Sequence, residues 1–275
     1  MLIKDQTGRE IHLRDSASRI VSLVPSQTEL LYSLGLDSEV KGITKFCVHP
    51  EEWLKTKTIV GGTKKINPEI IRNIKPDLII ANKEENSESD IRNLMVDYPT
   101  WISDVKTFDE SLKMIAALGQ MTGRHNESEK IIEDIRTGFN ELFNFIHQRN
   151  YPKLRICYLI WNKPLMAAGR DTFISDMINR CGWENAIDLP DRYPELSEKY
   201  LNDINADLII LSSEPFPFGE KHLTEFRKRF PTKATILADG EMFSWYGSRM
   251  KVSCKYFQNI ISESNELLKF TPKSN

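Results

Sequence analysis

No apolar run in this chain approaches the ~18 residues that a membrane-spanning helix requires. Charge of one sign is also lacking. The formal net charge is −2 over 275 residues, with the signs interspersed, which argues against a nucleic-acid or membrane-surface partner. The four cysteines (Cys47, Cys157, Cys181, Cys254) are too widely spaced for a zinc or redox motif, and Cys157 lies in an apolar strand pattern that reads as core. The five histidines are dispersed, and His49 alone falls at a predicted strand end. A histidine–carboxylate metal cage, and hence direct zinc or manganese binding, is therefore not expected. There is no G-x-S-x-G, P-loop, G-x-G-x-x-G or H-E-x-x-H, and no low-complexity segment. An enzyme is not expected.

What the chain does have is length for one large or two medium domains, and a long amphipathic helix between two similar halves. Residues 126–147 place Ile131, Ile132, Ile135, Phe139, Leu142, Phe143 and Ile146 on one helical stripe. Acidic residues lead it and His147 and Arg149 close it, in keeping with the helix dipole. Gly138 weakens it slightly. On either side, EIIRNIKPDLIIA from Glu69 and KYLNDINADLIIL from Lys199 align at an offset of 199 − 69 = 130. Each copy reads as an amphipathic helix, a polar turn and a continuously apolar strand. Such strands are buried on both faces, as in a parallel sheet covered by helices.

In order, a short terminal hairpin turns at Thr7-Gly8, and residues 20–23 form a buried strand. A helix then opens with Ser26 as expected N-cap and Glu29 completing a capping box, and ends at Gly35. A turn of this kind aims backbone N–H groups at the C-terminal edge of the sheet, where ligands of α/β proteins bind; an ordinary cap is the alternative. Strands follow at 40–44, 77–82 and 99–103, then a helix at 108–121. The second half runs strand 154–161, a helix capped by Asp171 or Thr172 and closed by Gly182, the repeat strand, a helix through Phe230, the strand ATILADG and a closing helix. Phe46, Trp161, Tyr193, Phe243, Trp245 and Tyr246 all follow predicted strands. Aromatics from two halves suit a large, flat, partly apolar ligand. Asp239 and Arg249 could bond its amides or carboxylates.

IVSLVPSQTELLYSLGL, KPDLIIA, the single connecting helix, RCGWENA and DGEMFSWYGSR, in this order from Ile20 to Leu268, resemble the substrate-binding proteins of ABC importers for cobalamin and iron-siderophores. The resemblance implies an α/β fold of two Rossmann-like lobes joined by a single long helix, with the ligand cleft between the lobes. The N-terminal lobe would span residues 1–124, the helix 125–150 and the C-terminal lobe 151–275. It further implies a metal-chelate small molecule as ligand (a corrinoid such as cobalamin, or a ferric siderophore), no intrinsic cofactor, an ABC permease as partner and a monomer. The location it implies is periplasmic or lipid-anchored and extracytoplasmic. The polar opening MLIKDQTGREIHL carries no leader pattern, so a removed leader or a cytoplasmic location follows. A cytoplasmic corrinoid- or haem-handling protein or enzyme on the same fold is the alternative.

By position, Phe46, Trp161, Tyr193 and Asp239 match ligand-side residues of the cobalamin binders. Thr63-Lys64 and Lys83 stand where those proteins carry tryptophans, and the lysines suit anionic groups such as ferric catecholates or carboxylates. His49, before Pro50, reads as a loop hydrogen-bonder; ligation of a ligand's cobalt or haem iron is the alternative. Cys181 matches a disulfide cysteine, and Cys254 lies one turn before the expected partner position. For permease docking, the matching acid on the first lobe is Glu69. Its repeat equivalent is Lys199, a charge reversal; Glu195 and Glu198 nearby are the candidates for the missing carboxylate, and Glu198 is the one expected to dock.

Overall fold

The computed structural model describes residues 1–269. The chain forms two compact units. The first takes Met1–Val105, Asp109–Ile135 and Tyr246–Arg249; the second takes Lys106–Phe108, Arg136–Trp245 and, among the described residues, 250–269.

In the first lobe, β1 (Leu2–Lys4) and β2 (Glu10–His12) form an antiparallel hairpin in register Ile3↔Ile11. Asp5 fixes its turn, accepting from the N–H groups of Thr7 and Arg9 and from the Arg9 guanidinium. The hairpin is fastened to the sheet edge, where the Gln6 N–H donates to the Ile102 carbonyl at 3.1 Å. Next come β3 (Ile20–Ser22), α1 (Pro25–Ser33), β4 (Val40–Ile43), α2 (Glu51–Thr56), β5 (Thr58–Ile59), α3 (Pro68–Ile74), β6 (Leu78–Asn82), α4 (Glu88–Asp97), β7 (Thr100–Ser103) and α5 (Phe108–Thr122). Among the described residues their sheet has five strands in the order β5-β4-β3-β6-β7, all parallel. Helices α3 and α4 cover one face through Ile71, Ile74, Ile91 and Leu94, packed on Val21, Ile79 and Ala81.

Helix α6 (His125–Arg149) begins in the first unit and ends in the second. Ile131, Ile135, Phe139 and Leu142 of the expected stripe are buried. Phe143 is not: 58% of it is exposed. The stripe drifts around the cylinder because the 3.6-residue repeat carries position 143 past the packed face.

The second lobe runs β8 (Arg155–Trp161), β9 (Leu165–Ala167), α7 (Phe173–Arg180), β10 (Glu184–Asn185), β11 (Glu195–Leu196), α8 (Glu198–Asp203), β12 (Leu208–Ser212), α9 (Glu220–Arg229), β13 (Ala234–Ala238), α10 (Gly240–Ser244) and α11 (Met250–Leu268). Its sheet is six-stranded among the described residues, with the path β11-β9-β8-β12-β13 and β10 on β8. Strands β8, β12, β13 and β10 are parallel, whereas β9 and β11 join antiparallel.

The repeat is carried at both levels. Strands β6 and β12 begin at Leu78 and Leu208, sit inside their sheets and are buried at every position. The repeated aspartates share a role. Asp77 accepts from the Arg19 and Ser18 N–H groups ahead of β3, and Asp207 accepts from the Arg155 N–H at the start of β8, at 2.7 Å. Each pins the entry of the neighbouring strand.

The expected capping box on α1 is not formed. The helix starts at Pro25 with Val24 as N-cap and no side-chain cap. Proline suits the first helical position because its missing N–H was an orphan anyway. Glu29 instead pairs with Arg249 at 2.8 Å, both largely buried. On α7, Thr172 is the cap, accepting from the Ser175 N–H.

Candidate functional site

At the C-terminal edge of the first lobe's sheet, polar side chains fasten each loop. The β4–α2 loop holds Phe46 and His49. The Phe46 ring is 49% exposed, backed by Gly62, where a Cβ would sit 3.1 Å from the ring. The Lys45 ammonium lies 5.1 Å from its centroid. His49 is half-buried. Under this loop the Thr28 hydroxyl reaches Ser22 Oγ at 2.7 Å and Cys47 Sγ at 3.1 Å, and burial pushes the Cys47 thiol pKa up.

The polar segment after β6 is a constructed loop. Asn82 Oδ1 accepts from the N–H groups of Glu84 and Glu85 at 2.8 and 2.9 Å, and its amide donates to Ser103 Oγ and Tyr246 Oη. Asn86 ties the same loop to Leu23 and Thr63. Tyr246 is thus a buried anchor, and burial lifts its hydroxyl pKa well above the ordinary value. Of the two lysines expected to face anions, Lys83 is paired with Asp104 at 2.8 Å, and Lys64 donates to the Glu84 carbonyl. Arg249, in this unit, is held by Glu29.

In the second lobe, Trp161 ends β8 with 38% of its surface exposed. Its Nε1–H donates to the Lys163 carbonyl at 3.1 Å, and Phe216 meets its ring edge-on at 5.6 Å. Phe218 and His222 back Phe216 at 4.8 and 5.2 Å. His222 Nδ1 accepts from the Gly219 N–H. Phe216 escaped the sequence reading; its signal is the E-P-F-P-F-G run directly after the repeat strand. Tyr193, half-buried, lies under the Arg192 guanidinium at 5.9 Å. Its loop crosses Gly169, where a Cβ would fall 2.5 Å from the Asp191 carbonyl oxygen.

Around α10 the side chains turn inward. Asp239 caps the helix, accepting from the Glu241 N–H at 3.1 Å. Phe243 is fully buried against Tyr158 and Phe257. Trp245 is buried, its Nε1–H donating to Glu214 Oε1 at 2.9 Å. Ser244 donates to the same oxygen at 2.6 Å. Burial raises the Glu214 pKa, with the charges of Glu241 and Asp239 adding to it and the Ser244 and Trp245 hydrogen bonds opposing it. Position after a strand marks a residue as near the edge; it does not say whether the side chain faces water or core.

Glu69 is exposed in the first turn of α3. Glu198 is exposed but ion-paired with Arg229, which also reaches Glu225 at 3.5 Å. Cys181 and Cys254 are free, buried thiols. Among the described residues no group of three or more histidines, cysteines or carboxylates could hold a metal ion.

The chain thus folds as two α/β units, each with loops fastened at the ends of its strands. The profile of the periplasmic binding protein family matches residues 20–233, and the chain belongs to that family. An uncharacterized ABC transporter substrate-binding lipoprotein of Bacillus subtilis is 23% identical over 215 residues, covering 76% of this chain and 68% of the relative. The vitamin B12-binding protein of Pectobacterium carotovorum is 26% identical over 199 residues, 72% of each chain. A periplasmic haem-binding protein from Pseudomonas aeruginosa superposes with a TM-score of 0.78 at 19% identity, covering 90% of this chain and 94% of that one. The chain is the substrate-binding component of an ABC importer, a transport protein rather than an enzyme.

Proposed function

We propose that this protein captures a metal-chelate small molecule, a corrinoid or a ferric siderophore, outside the cytoplasm and passes it as a monomer to an ABC permease. The observation that carries this reading is a solvent-exposed aromatic ring at a strand end in each lobe. Phe46 and Trp161 are 49% and 38% exposed, and each packs against a neighbour within its own lobe, Gly62 and Phe216 respectively. Stacking on such rings gains area and dispersion at little further entropic cost. The relatives favour transport over the cytoplasmic alternative. Phe216 and Tyr193 extend the aromatic surface of the second lobe, and His49 supplies a hydrogen bond. Phe243 and Trp245 act as supports behind the edge, and Asp239 orients α10.

The test is titration with cobalamin, cobinamide, haem and a panel of ferric siderophores, read by visible spectra and tryptophan fluorescence. One class should bind with saturable quenching, and Trp161→Ala should weaken it by about 1–3 kcal/mol. Unchanged affinity in both Trp161→Ala and Phe46→Ala would remove the proposed contact surface.

A further inference from the structure

The second lobe contains a pocket of about 430 Å³ that has no residue in common with the strand-end set. It lies along the C-terminal half of α6 and the end of α7, lined by Phe108, Arg136, Phe139, Phe143, His147 and Arg180 among others. Its volume is within the roughly 300–1,000 Å³ of small-molecule sites.

Its floor is aromatic. Phe108 and Phe139 meet edge-to-face with centroids 4.8 Å apart, and both are buried. Phe143 forms a wall, 58% exposed, its ring 3.9 Å from that of His147. A phenylalanine left this open beside a pocket is an apolar surface available to a partner. The charges at the rim are positive. Arg136 is exposed and has no ion pair among the described residues. The Arg180 guanidinium lies over the Phe108 ring at 4.3 Å and reaches Asp176 at 3.7 Å. Asp176 is also engaged by the Phe108 N–H at 2.8 Å. The carbonyls ending α7 are bonded by the N–H groups of Cys181, Gly182 and Trp183.

We propose that this pocket is a second binding site, for a flat organic anion: an aromatic carboxylate. The ring would lie against Phe139 and Phe143. The carboxylate would meet the Arg136 guanidinium, whose forked donors match it in two parallel hydrogen bonds. An organic cation of the same shape would face two guanidinium groups and be disfavoured.

The test uses 2-naphthoate and, as a control of opposite charge on the same ring, 2-naphthylmethylammonium, titrated into the full chain by calorimetry. Naphthoate should bind saturably and at least roughly tenfold tighter than the ammonium, as a charge-assisted contact implies. Arg136→Glu should weaken it by at least roughly tenfold, Phe143→Ala should weaken it, and Trp161→Ala should leave it unchanged. If Arg136→Glu fails to fold, as read by far-UV circular dichroism, Arg136→Gln carries the same expectation. Equal binding of anion and cation, no effect of the Arg136 change, or loss on Trp161→Ala would each overturn the proposal.

Discussion

Replacing Gly138 by alanine should destabilise the second lobe, although alanine is the better helix former. A Cβ at position 138 would come 2.9 Å from Cys254 Sγ and 3.4 Å from Cys254 Cβ. The sulfur has little freedom to retreat, since it is buried and hydrogen-bonded to the Met250 carbonyl at 3.3 Å. The helix propensity gain is at most about 1 kcal/mol. Forcing an extra methyl into a packed contact costs about 1–3 kcal/mol, so packing wins by ~0–2 kcal/mol. The cycle with Cys254→Ala isolates the reason. Once the sulfur is gone, the remaining Cβ contact is ordinary, and Gly138→Ala should stabilise by about 0.5–1 kcal/mol. The coupling between the two changes should therefore be about 1–3 kcal/mol. Urea unfolding of the four proteins, followed by far-UV circular dichroism, gives the numbers. If Gly138→Ala stabilised the parent as much as it stabilises Cys254→Ala, close packing would not be why glycine is tolerated there.

Glu214 should make the second lobe lose stability as pH rises. Its folded pKa lies above the ordinary carboxylate value because of burial, so the folded state holds the proton longer. That contribution is present below the ordinary pKa and is lost as pH climbs through the raised one. Glu214→Gln should flatten the slope in thermal melts across that window while retaining an acceptor for Trp245. Glu214→Ala should cost about 1–3 kcal/mol by stranding the indole N–H, and a pH slope that survives Glu214→Gln would assign it elsewhere. The repeated aspartates should differ in weight: Asp77→Ala, which removes three hydrogen bonds, should cost more than Asp207→Ala in chemical denaturation. Equal losses would mean that the strand-entry clamp is not what those carboxylates contribute. Glu69→Lys should slow uptake in a transport assay at low salt while leaving ligand affinity alone, because rim charges act mainly on association. Glu198→Lys should do less, since Arg229 already engages Glu198, and unimpaired uptake by Glu69→Lys would remove it from docking.

Periodicity determined the lobes. Continuous apolarity in DLIIA and DLIIL required strands buried on both faces, and β6 and β12 are so placed at the expected offset. Spacings of three and four residues required helix α6, and residue order alone placed Phe46 and Trp161 at strand ends. An unbroken apolar run and a 3.6-residue repeat are both local properties, and the chain carries them wherever it folds. What tertiary structure decided was partnership. Ser26-x-x-Glu29 has the pattern of a capping box, yet Arg249, 220 residues away, takes the carboxylate. Phe243 and Trp245 follow a strand as Trp161 does, but the turn of α10 directs them into the core. Gly138 reads as a weak point in a helix until Cys254 is seen against it. A side chain's orientation, and the identity of what lies opposite, depend on residues far away in the sequence. No local pattern encodes them.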